Sequence, residues 1–530
     1  MRWNNMDKAR AYRRLRRSEK LPNLAEVLNA ERMESWVIPG GGGLDYYYGA
    51  SLLTPEIIDN LQALANEQQL VRKYLAMVKG EKFNTGENRR VLHHLTRGNV
   101  NGRARDENGF NIGKFYRDEY HRISQFVKQV YRSKVQTSWG LPFDNAVQIG
   151  IGGSDLGPRA LALALQGSCE QKFPCHFVSN VDPHDVLQVR QQIDPSRTLV
   201  ILVTKSGTTQ ETLANHRLLN RWIKHHLSPD ADVSYHTVAI TSQTSPLVNS
   251  KDVRIPFYID DNIGGRFSST SAVGALVLSL AYGPQVFEEI LAGAHEADMA
   301  AREKDIRKNA ALMDAMIGVY NRNILGMPAT AILPYAQSLA RFPAHLQQLD
   351  MESNGKSVNR FGEPVNYPTG PIIFGEPGTN GQHSFYQLLH QGTDIIPLQF
   401  IGFRQPPREF EPEADGMENY IKLNANLAAQ IIAFAKGRKH ENANKNFNGG
   451  RPSTILVGDK LTPRALGALL AHYENKIMFQ GFCWNINSFD QEGVQLGKIL
   501  TDSVLAGTAE DETLKTCAKI LGIDQLGTSG

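Results

Sequence analysis

Cysteine is scarce in this chain, and the four that are present do not fit a disulfide scaffold. Cys169, Cys175, Cys483 and Cys517 are scattered, and no pair has the two-residue spacing that is typical of a zinc site. The sequence also lacks an apolar leader segment and any uninterrupted run of about 18 apolar residues. These absences predict a protein without a secretion signal or a membrane span, located in a reducing, cytoplasmic compartment.

Neither sign of charge is in excess, since 57 Lys and Arg residues face 54 Asp and Glu residues for a net charge of +3. With 41% hydrophobic residues, this balance excludes a wholly disordered chain and a strongly basic nucleic-acid coat. The most basic stretch, residues 8–17, has three interpretations: an RNA-binding arm, a transit peptide or a solvated helix face. Asp7 and Glu19 bracket its charge and only Tyr12 could stack on a base, which favours the solvated face. We therefore expect no nucleic-acid partner and no membrane partner.

The length of 530 residues predicts two or three domains. Residues 1–115 lack strong strand signals and are expected to be a helical N-terminal region. Residues 116–300 and 301–505 each show short β-branched runs that alternate with helical stretches, the rhythm of a parallel sheet. Residues 506–530 would be a C-terminal tail. The predicted fold class is α/β, with two doubly wound parallel-sheet domains and a helical N-terminal region.

Finer features follow from the same patterns. Helical periodicity covers residues 57–78 and 285–320, the glycine tract at 40–43 is expected to be flexible, and 436–451 is expected to be a surface loop. The predicted strands are residues 146–151, 176–181, 198–203, 238–241, 329–333, 372–374, 395–401, 454–457 and 484–487. In doubly wound sheets, ligands bind at the carboxyl ends of the strands, so the chemistry is expected in the loops that follow them.

The first such loop has the sequence Gly-Ile-Gly-Gly-Ser-Asp-Leu-Gly at residues 150–157. Glycines let a backbone approach an anion closely, and the first N–H groups of the helix that follows would point at it. A dinucleotide-binding motif would need glycine in place of Asp155, and a P-loop would need Lys-Ser/Thr in place of Pro158 and Arg159. The loop therefore indicates a phosphate site of another type, with a plain tight turn as the alternative.

The second loop, Thr-Lys-Ser-Gly-Thr-Thr-Gln-Glu-Thr at residues 204–212, is dense in hydroxyl groups and carries one cation. Such a set of side chains can surround a phosphate monoester. Thr208 and Glu211 also have the spacing of a helix capping box, which is the alternative interpretation.

Four further residues have ordinary interpretations when each is taken alone. Arg266 would be a surface ion-pair partner, Glu352 a helix cap or solvated charge, and Lys498 a surface lysine. His383 follows a Gly- and Asn-rich loop at the start of a predicted helix, where a catalytic histidine is one of several possibilities.

Taken together and in order, these segments resemble the phosphoglucose isomerase family. The matching stretches are residues 150–158, 204–212, 264–268, 347–356, 378–387 and 489–498. Residues 84–93 resemble the N-terminal signature of the family, with Gly86 where a threonine is usual. The resemblance covers about residues 44–500.

The resemblance implies an enzyme that interconverts glucose 6-phosphate and fructose 6-phosphate on a two-domain sugar isomerase (SIS) fold, without a metal or an organic cofactor. It implies that Glu352 is the base that carries a proton between C1 and C2 through a cis-enediol or enediolate. Arg266 would stabilise the negative charge of that intermediate. The residues implied to hold the 6-phosphate are Gly153, Ser154, Thr204, Lys205, Ser206 and Thr209.

Opening of the sugar ring is the other step that the resemblance assigns to particular residues. His383 and Lys498 would move protons between the ring oxygen and the hydroxyl group, a task that suits a histidine. Glu211 would orient the imidazole, and Gln348 and Gln491 would contact the sugar. In the family this histidine comes from a neighbouring subunit, which implies a homodimer with shared active sites.

The sequence departs from the family pattern at a few positions, and two alternative functions stay open. Thr204 stands where serine is frequent, residues 268–270 are more polar than usual, and Glu492 replaces a frequent tryptophan. These changes leave the tolerance of mannose 6-phosphate undecided. The alternatives are an isomerase of an amino sugar phosphate or mannose phosphate, and a sugar-phosphate sensor without catalysis; the four reactive residues together argue against the sensor.

Overall fold

The fold is that of a computed structural model, which describes residues 1–17, 21–98, 104–105, 109, 111–227, 232–407 and 416–523. The chain forms two compact units, Met1–Ser488 and Phe489–Gly530.

The strands of the first unit are β1 (Val37–Gly41), β2 (Leu44–Tyr47), β3 (Lys82–Asn84), β4 (Arg89–Arg90), β5 (Asn145–Ile149), β6 (Cys175–Val178), β7 (Thr198–Val203), β8 (Thr237–Thr241), β9 (Ile255–Tyr258), β10 (Ala329–Pro334), β11 (Ile372–Phe374), β12 (Leu398–Phe403) and β13 (Ser453–Gly458). Its helices are α1 (Arg10–Arg17), α2 (Leu24–Val27), α3 (Ala30–Ser35), α4 (Pro55–Glu67), α5 (Leu70–Val78), α6 (Ile112–Tyr131), α7 (Leu156–Gln166), α8 (Pro183–Arg190), α9 (Gln210–His226), α10 (Ala272–Tyr282), α11 (Pro284–Ala300), α12 (Ala310–Asn323), α13 (Phe342–Gln347), α14 (Tyr386–Gln391), α15 (Gly416–Lys436) and α16 (Pro463–Trp484). The second unit contains α17 (Gln495–Leu505) and α18 (Glu512–Ile520).

The first sheet is parallel throughout and has the strand order β6-β5-β7-β8-β9. Strand β7 is an unbroken run of buried apolar and β-branched residues after its first threonine, as expected where helices cover both faces of a sheet. In this order the chain leaves β5 and β7 toward opposite sides of the sheet, so a crevice opens between the ends of these two strands. The two glycine- and hydroxyl-rich loops follow these strands and so face that crevice.

The second sheet is mixed, with the order β1-β2-β13-β12-β10-β11. Strands β10 to β13 pair in parallel, but β2 pairs with β13, and β1 with β2, in antiparallel fashion. The predicted α/β fold class with two sheets is confirmed, whereas the expectation of an N-terminal region without strands is wrong. The glycine tract at 40–43 forms the end of β1 and the turn of this hairpin, where Gly41, Gly42 and Gly43 all have positive φ.

Most of the other predicted elements differ in their bounds. All the predicted strands are present except the one at 484–487; those at 198–203 and 372–374 have the predicted bounds, and the others have shifted ends. The strand at 484–487 is wrong because α16 ends at Trp484 and Asn485 leaves it with φ of 59°. The predicted helix at 57–78 is divided into α4 and α5 at Gln69, which also has positive φ. The expected long connecting helix is divided into α11 and α12.

Helix α16 is the central element of the first unit, because it is buried along almost its whole length and packs against α11 and α12. A buried ion cluster joins it to its surroundings. Arg97 donates to Glu474 on α16 and lies 3.3 Å from Asp298 on α11. Burial raises the pKa of Glu474 to about 7, although Arg97 opposes this shift.

Helix α1, the basic stretch of the sequence, buries Ala11, Tyr12 and Leu15 and exposes its arginines. Tyr12 is only 5% exposed and therefore cannot stack on a base. Among the described residues, no helix combines the length and the apolar character needed to cross a bilayer.

The tip of the β1-β2 hairpin provides a test of its packing on α16. A Cβ on Gly42 would lie 2.5 Å from Cβ of Ala468 and 2.8 Å from the carbonyl oxygen of Arg464, whereas one on Gly43 would meet nothing within 4 Å. Gly43→Ala should lower the free energy of unfolding by about 1 kcal/mol, the usual cost of positive φ. Gly42→Ala should cost a further ~1–3 kcal/mol because the overlap must be relieved. Thermal unfolding of both variants measures this difference, and equal midpoints would contradict the packing.

Candidate active site

The first loop joins β5 to α7 and lies directly against the segment that carries Arg266. A Cβ on Gly153 would lie only 2.0 Å from the carbonyl carbon of Gly265, so the two backbones touch and no larger residue fits at this position. Gly152 has φ of 59°, and the amide of Gln148 donates to the carbonyl of Ser154 at 2.8 Å. The loop is therefore fixed from both sides, with Ser154 partly exposed at the start of α7.

The second loop joins β7 to α9 and ties its hydroxyl groups together. The hydroxyl oxygens of Thr204 and Thr209 lie 2.9 Å apart, and the Thr208 hydroxyl donates to Oγ of Ser206 at 2.9 Å. The N-cap of α9 is Thr209, whose side chain makes no capping hydrogen bond. The capping box proposed for Thr208 and Glu211 is therefore wrong. Glu211 lies half-buried in the first turn of α9.

Lys205 is the cation of this loop. Its Nζ donates to the carbonyl of Ile263 at 3.3 Å, and its pKa is lowered, first by burial and then by the nearby Arg89. Arg89 belongs to the N-terminal segment at 84–93 and pairs with Glu87 at 2.8 Å. A dianion bound at this loop would favour the charged form of Lys205 and offset its loss of hydration.

Arg266 and Glu352 form the centre of the site. Nη1 of Arg266 lies 3.0 Å from Oε1 of Glu352, Nε donates to Oγ of Ser353 at 2.7 Å, and Nη2 donates to the carbonyl of Ser488 at 2.6 Å. The Arg266 side chain is 1% exposed, but that of Glu352 is 24% exposed. A rigidly held cation thus faces a carboxylate that solvent, and hence a small molecule, can reach.

A π-helical turn, Gln348–Glu352, presents Glu352 at the end of α13. Such turns insert one extra residue and are frequent at functional sites. The same turn carries Gln348, whose Nε2 would lie 3.1 Å from a Cβ on Gly152 of the first loop. Oε1 of Gln348 is buried and has no hydrogen-bond partner in the described structure. The π-turn therefore links the first loop to Glu352.

His383 is exposed on the surface of the single chain, at the end of a turn between β11 and α14. Its neighbour Gln382 fixes this turn, because its amide donates to the Tyr335 hydroxyl at 3.2 Å and to Asn426 on α15. Tyr335 also donates to Oδ1 of Asn426 at 3.0 Å. The histidine is thus presented outward from a well-anchored turn.

Lys498 and Gln491 belong to the second unit. Lys498 lies on α17, Gln491 lies just before it, and both side chains are exposed.

The sequence interpretation missed the two serines that hold Arg266. Ser353 lies beside Glu352 in a recognised motif, so its position was a usable signal. Ser488 contacts Arg266 through its backbone carbonyl, which any residue carries. No pattern of side chains in the sequence can therefore predict that contact. Among the described residues, no group of three or more His, Cys, Asp or Glu side chains is arranged to hold a metal ion.

Comparisons with known proteins indicate the same family along almost the whole chain. The family model of phosphoglucose isomerase matches residues 47–518. A glucose-6-phosphate isomerase of Treponema denticola is 54% identical over 514 residues, which cover 96% of this chain and 97% of that protein. One of Borreliella burgdorferi is 43% identical over 503 residues and covers 94% of each chain.

A solved structure shows the same fold. The crystal structure of a glucose-6-phosphate isomerase from Chlamydia trachomatis matches with a TM-score of 0.91 and 40% identity, and the match covers 98% of this chain and 100% of that one. The chain therefore belongs to the phosphoglucose isomerase family, whose enzymes interconvert glucose 6-phosphate and fructose 6-phosphate.

Proposed function

We propose that this enzyme binds glucose 6-phosphate or fructose 6-phosphate across the two loops and the Arg266–Glu352 pair, and transfers a proton between C1 and C2. The observation that carries the proposal is the 3.0 Å contact between a buried guanidinium and a partly exposed carboxylate beside two phosphate-type loops. Removal of a proton next to a carbonyl group requires such a base and a fixed cation for the developing oxyanion.

The phosphate end of the substrate is assigned to the crevice between β5 and β7. Lys205 supplies positive charge, and the hydroxyl groups of Ser154, Thr204, Ser206 and Thr209 supply donors. The N-terminus of α9 supports this assignment, since the side chain of Thr209 makes no capping hydrogen bond there and the positive dipole end of the helix favours an anion. Gly153 has no side chain, which keeps the backbone within reach of the phosphate.

At the other end of the substrate, Glu352 removes the proton from C2 of the open-chain aldose. The electrons of the C–H bond form a C1–C2 double bond, and the charge moves to the carbonyl oxygen, where Arg266 stabilises it. The proton of the C2 hydroxyl group passes to O1, so that the negative charge now lies on O2. Glu352 then returns the carbon-bound proton to C1, the C1–C2 double bond supplies the electrons for the new C–H bond, and O2 becomes the carbonyl oxygen of the ketose. Gln348, which bridges the first loop and the π-turn, is placed to contact the sugar hydroxyls between the two ends.

Ring opening is assigned to His383 and Lys498, with Glu211 orienting the imidazole and Gln491 contacting the sugar. His383 is exposed in the single chain. A second copy of the chain would bring this histidine to the site of its partner, so we propose a homodimer with shared active sites. Exposed apolar residues in the same segment support such an interface: Ile372 on the edge strand β11 is 57% exposed and Leu388 on α14 is 50% exposed.

Two further assignments are also proposals. The cytoplasm is the proposed location, supported by the small number of cysteines, four in 530 residues. The domain division at residues 1–115, 116–300, 301–505 and 506–530 is retained as a working description of the chain.

Replacement of the base tests the proposed reaction. Glu352→Gln should lower the conversion of fructose 6-phosphate to glucose 6-phosphate by about 10³-fold in excess EDTA, because the carboxylate is lost with little change of shape. Glu56→Gln, on the surface helix α4, is the matched control and should keep full activity. Wild-type turnover by Glu352→Gln would contradict the proposal. Mannose 6-phosphate and glucosamine 6-phosphate, assayed in parallel, show whether another sugar phosphate is preferred.

Co-expression of two inactive variants tests the shared site. Glu352→Gln and His383→Ala chains, made together with different tags, should recover about a quarter of wild-type activity, since half of the random dimers are mixed and each has one intact site. Glu352→Gln with Arg266→Lys is the control pair. Both residues lie in one chain, 3.0 Å apart, so no mixed dimer has an intact site. Recovery by neither pair would place His383 in the site of its own chain.

A substrate that cannot close its ring tests the role of His383. 5-Deoxyfructose 6-phosphate lacks the hydroxyl group that forms the furanose ring. His383→Ala should lower kcat/KM for fructose 6-phosphate by about 10²-fold but change that for the open-chain compound much less, because only the first needs a general acid and base for ring opening. Equal losses for both substrates, measured by steady-state kinetics, would exclude a ring-opening role.

A further inference from the structure

Asn354 lies two residues beyond the end of the π-turn and is fully buried. Its Nδ2 donates to Oδ1 of Asp350 at 3.2 Å and to the carbonyl of Ile477 on α16 at 3.1 Å. Asp350 is itself buried inside the π-turn, and burial raises the pKa of its carboxyl group to about 6. The Asn354 amide therefore fastens the turn that carries Glu352 to the central helix of the fold.

The other side of the same amide reaches the segment that holds Arg266. Oδ1 of Asn354 accepts a hydrogen bond from the Ser488 hydroxyl at 2.8 Å, and the Ser488 carbonyl accepts the 2.6 Å bond from Nη2 of Arg266. The backbone of α16 packs tightly against these two side chains. A Cβ on Gly481 of α16 would lie 1.8 Å from Oγ of Ser488 and 3.0 Å from Oδ1 of Asn354.

We propose that Asn354 is a positioning residue that fixes the distance between the base Glu352 and the cation Arg266. Its Nδ2 donates to the π-turn and to α16, and its Oδ1 accepts from Ser488. A single planar group therefore fixes the positions of both Glu352 and Arg266. The inference rests on the proposed roles of Glu352 and Arg266 and deepens them.

The polarity of the amide is what the arrangement requires. Aspartate in this place could accept from Ser488, but it could not donate to Asp350 or Ile477, and it would put a second carboxylate beside a buried one. Alanine would release both connections and leave the Asp350 carboxylate short of a donor, which carries a penalty in a buried site. Displacement of a reacting group by about 1 Å can cost about 10²-fold in rate.

The experiment compares Asn354→Ala with Asn309→Ala in the full-length enzyme. Asn309 is equally buried and equally bonded, donating to the carbonyls of Ala301 and Glu303 and accepting from Leu312 N at the start of α12. Steady-state kinetics give kcat and KM for fructose 6-phosphate. Turnover in D₂O gives the deuterium incorporated at C2 of glucose 6-phosphate, which reports how often water exchanges with the proton held on the base.

Asn354→Ala should lower kcat by ~10- to 100-fold, change KM by less than about threefold, and raise deuterium incorporation, because a displaced base exchanges its proton before returning it. Asn309→Ala should lower the melting temperature without changing the deuterium fraction. A kcat for Asn354→Ala close to that of Asn309→Ala, or a loss with unchanged deuterium incorporation, overturns the proposal.

Two further variants keep the test decisive. If Asn354→Ala does not fold, Ser488→Ala removes only the hydroxyl bond to Asn354 and should show the same changes at smaller size; unchanged deuterium incorporation there overturns the proposal. Glu352→Gln, assayed in parallel, distinguishes failure of the base assignment for Glu352 from failure of the positioning role of Asn354. Full activity of Glu352→Gln would refute the base assignment, whereas its inactivity with a normal Asn354→Ala refutes only the positioning role.

Discussion

The contact between Arg266 and Glu352 depends on charge held in place by neutral groups. The guanidinium is buried, and its Nε and Nη2 donate to neutral groups, the Ser353 hydroxyl and the Ser488 carbonyl. Its Nη1 pairs with Glu352, and that carboxylate remains accessible to solvent. In the proposed reaction, this cation stabilises the charge that develops on the substrate, and its fixed geometry means that little reorganisation is needed when that charge appears.

The fold supplies these groups from elements that lie far apart in the chain. Arg266 and Glu352 are separated by 86 residues, and Ser488 is 222 residues from Arg266. Helix α16 is the common support, since it contacts the π-turn through Asn354 and leads directly to Ser488. The buried cluster of Arg97, Asp298 and Glu474 fastens the same helix about two turns before its contact with Ser488 and Asn354. The positions of Arg266 and Glu352 relative to each other therefore depend on the position of one long buried helix.

The two loops and the parallel strands could be predicted from the sequence, because each depends on residues that are adjacent in the chain. Glycines and hydroxyls in continuous runs marked both loops, and β-branched runs marked the parallel strands. The hairpin of β1 and β2 was missed because the glycine tract at 40–43 was interpreted as flexible chain, although the positive φ values of Gly41, Gly42 and Gly43 form the bend between the strands. The false strand at 484–487 arose because the end of a fully buried helix is apolar and aromatic on every side, like a buried strand. The Arg266–Glu352 contact had no local signal of its own.

The close approach of Gly153 to Gly265 has a consequence for the size of molecule that the site accepts. Because the backbone of the first loop touches the backbone that carries Arg266, the proposed phosphate site and the Arg266–Glu352 pair are held at a fixed separation. In the proposed binding mode, a sugar phosphate shorter by one carbon would leave its carbonyl short of Glu352 when its phosphate is bound, and a longer one would have to bend. The proposal thus implies selection by chain length, set by a contact between two glycines.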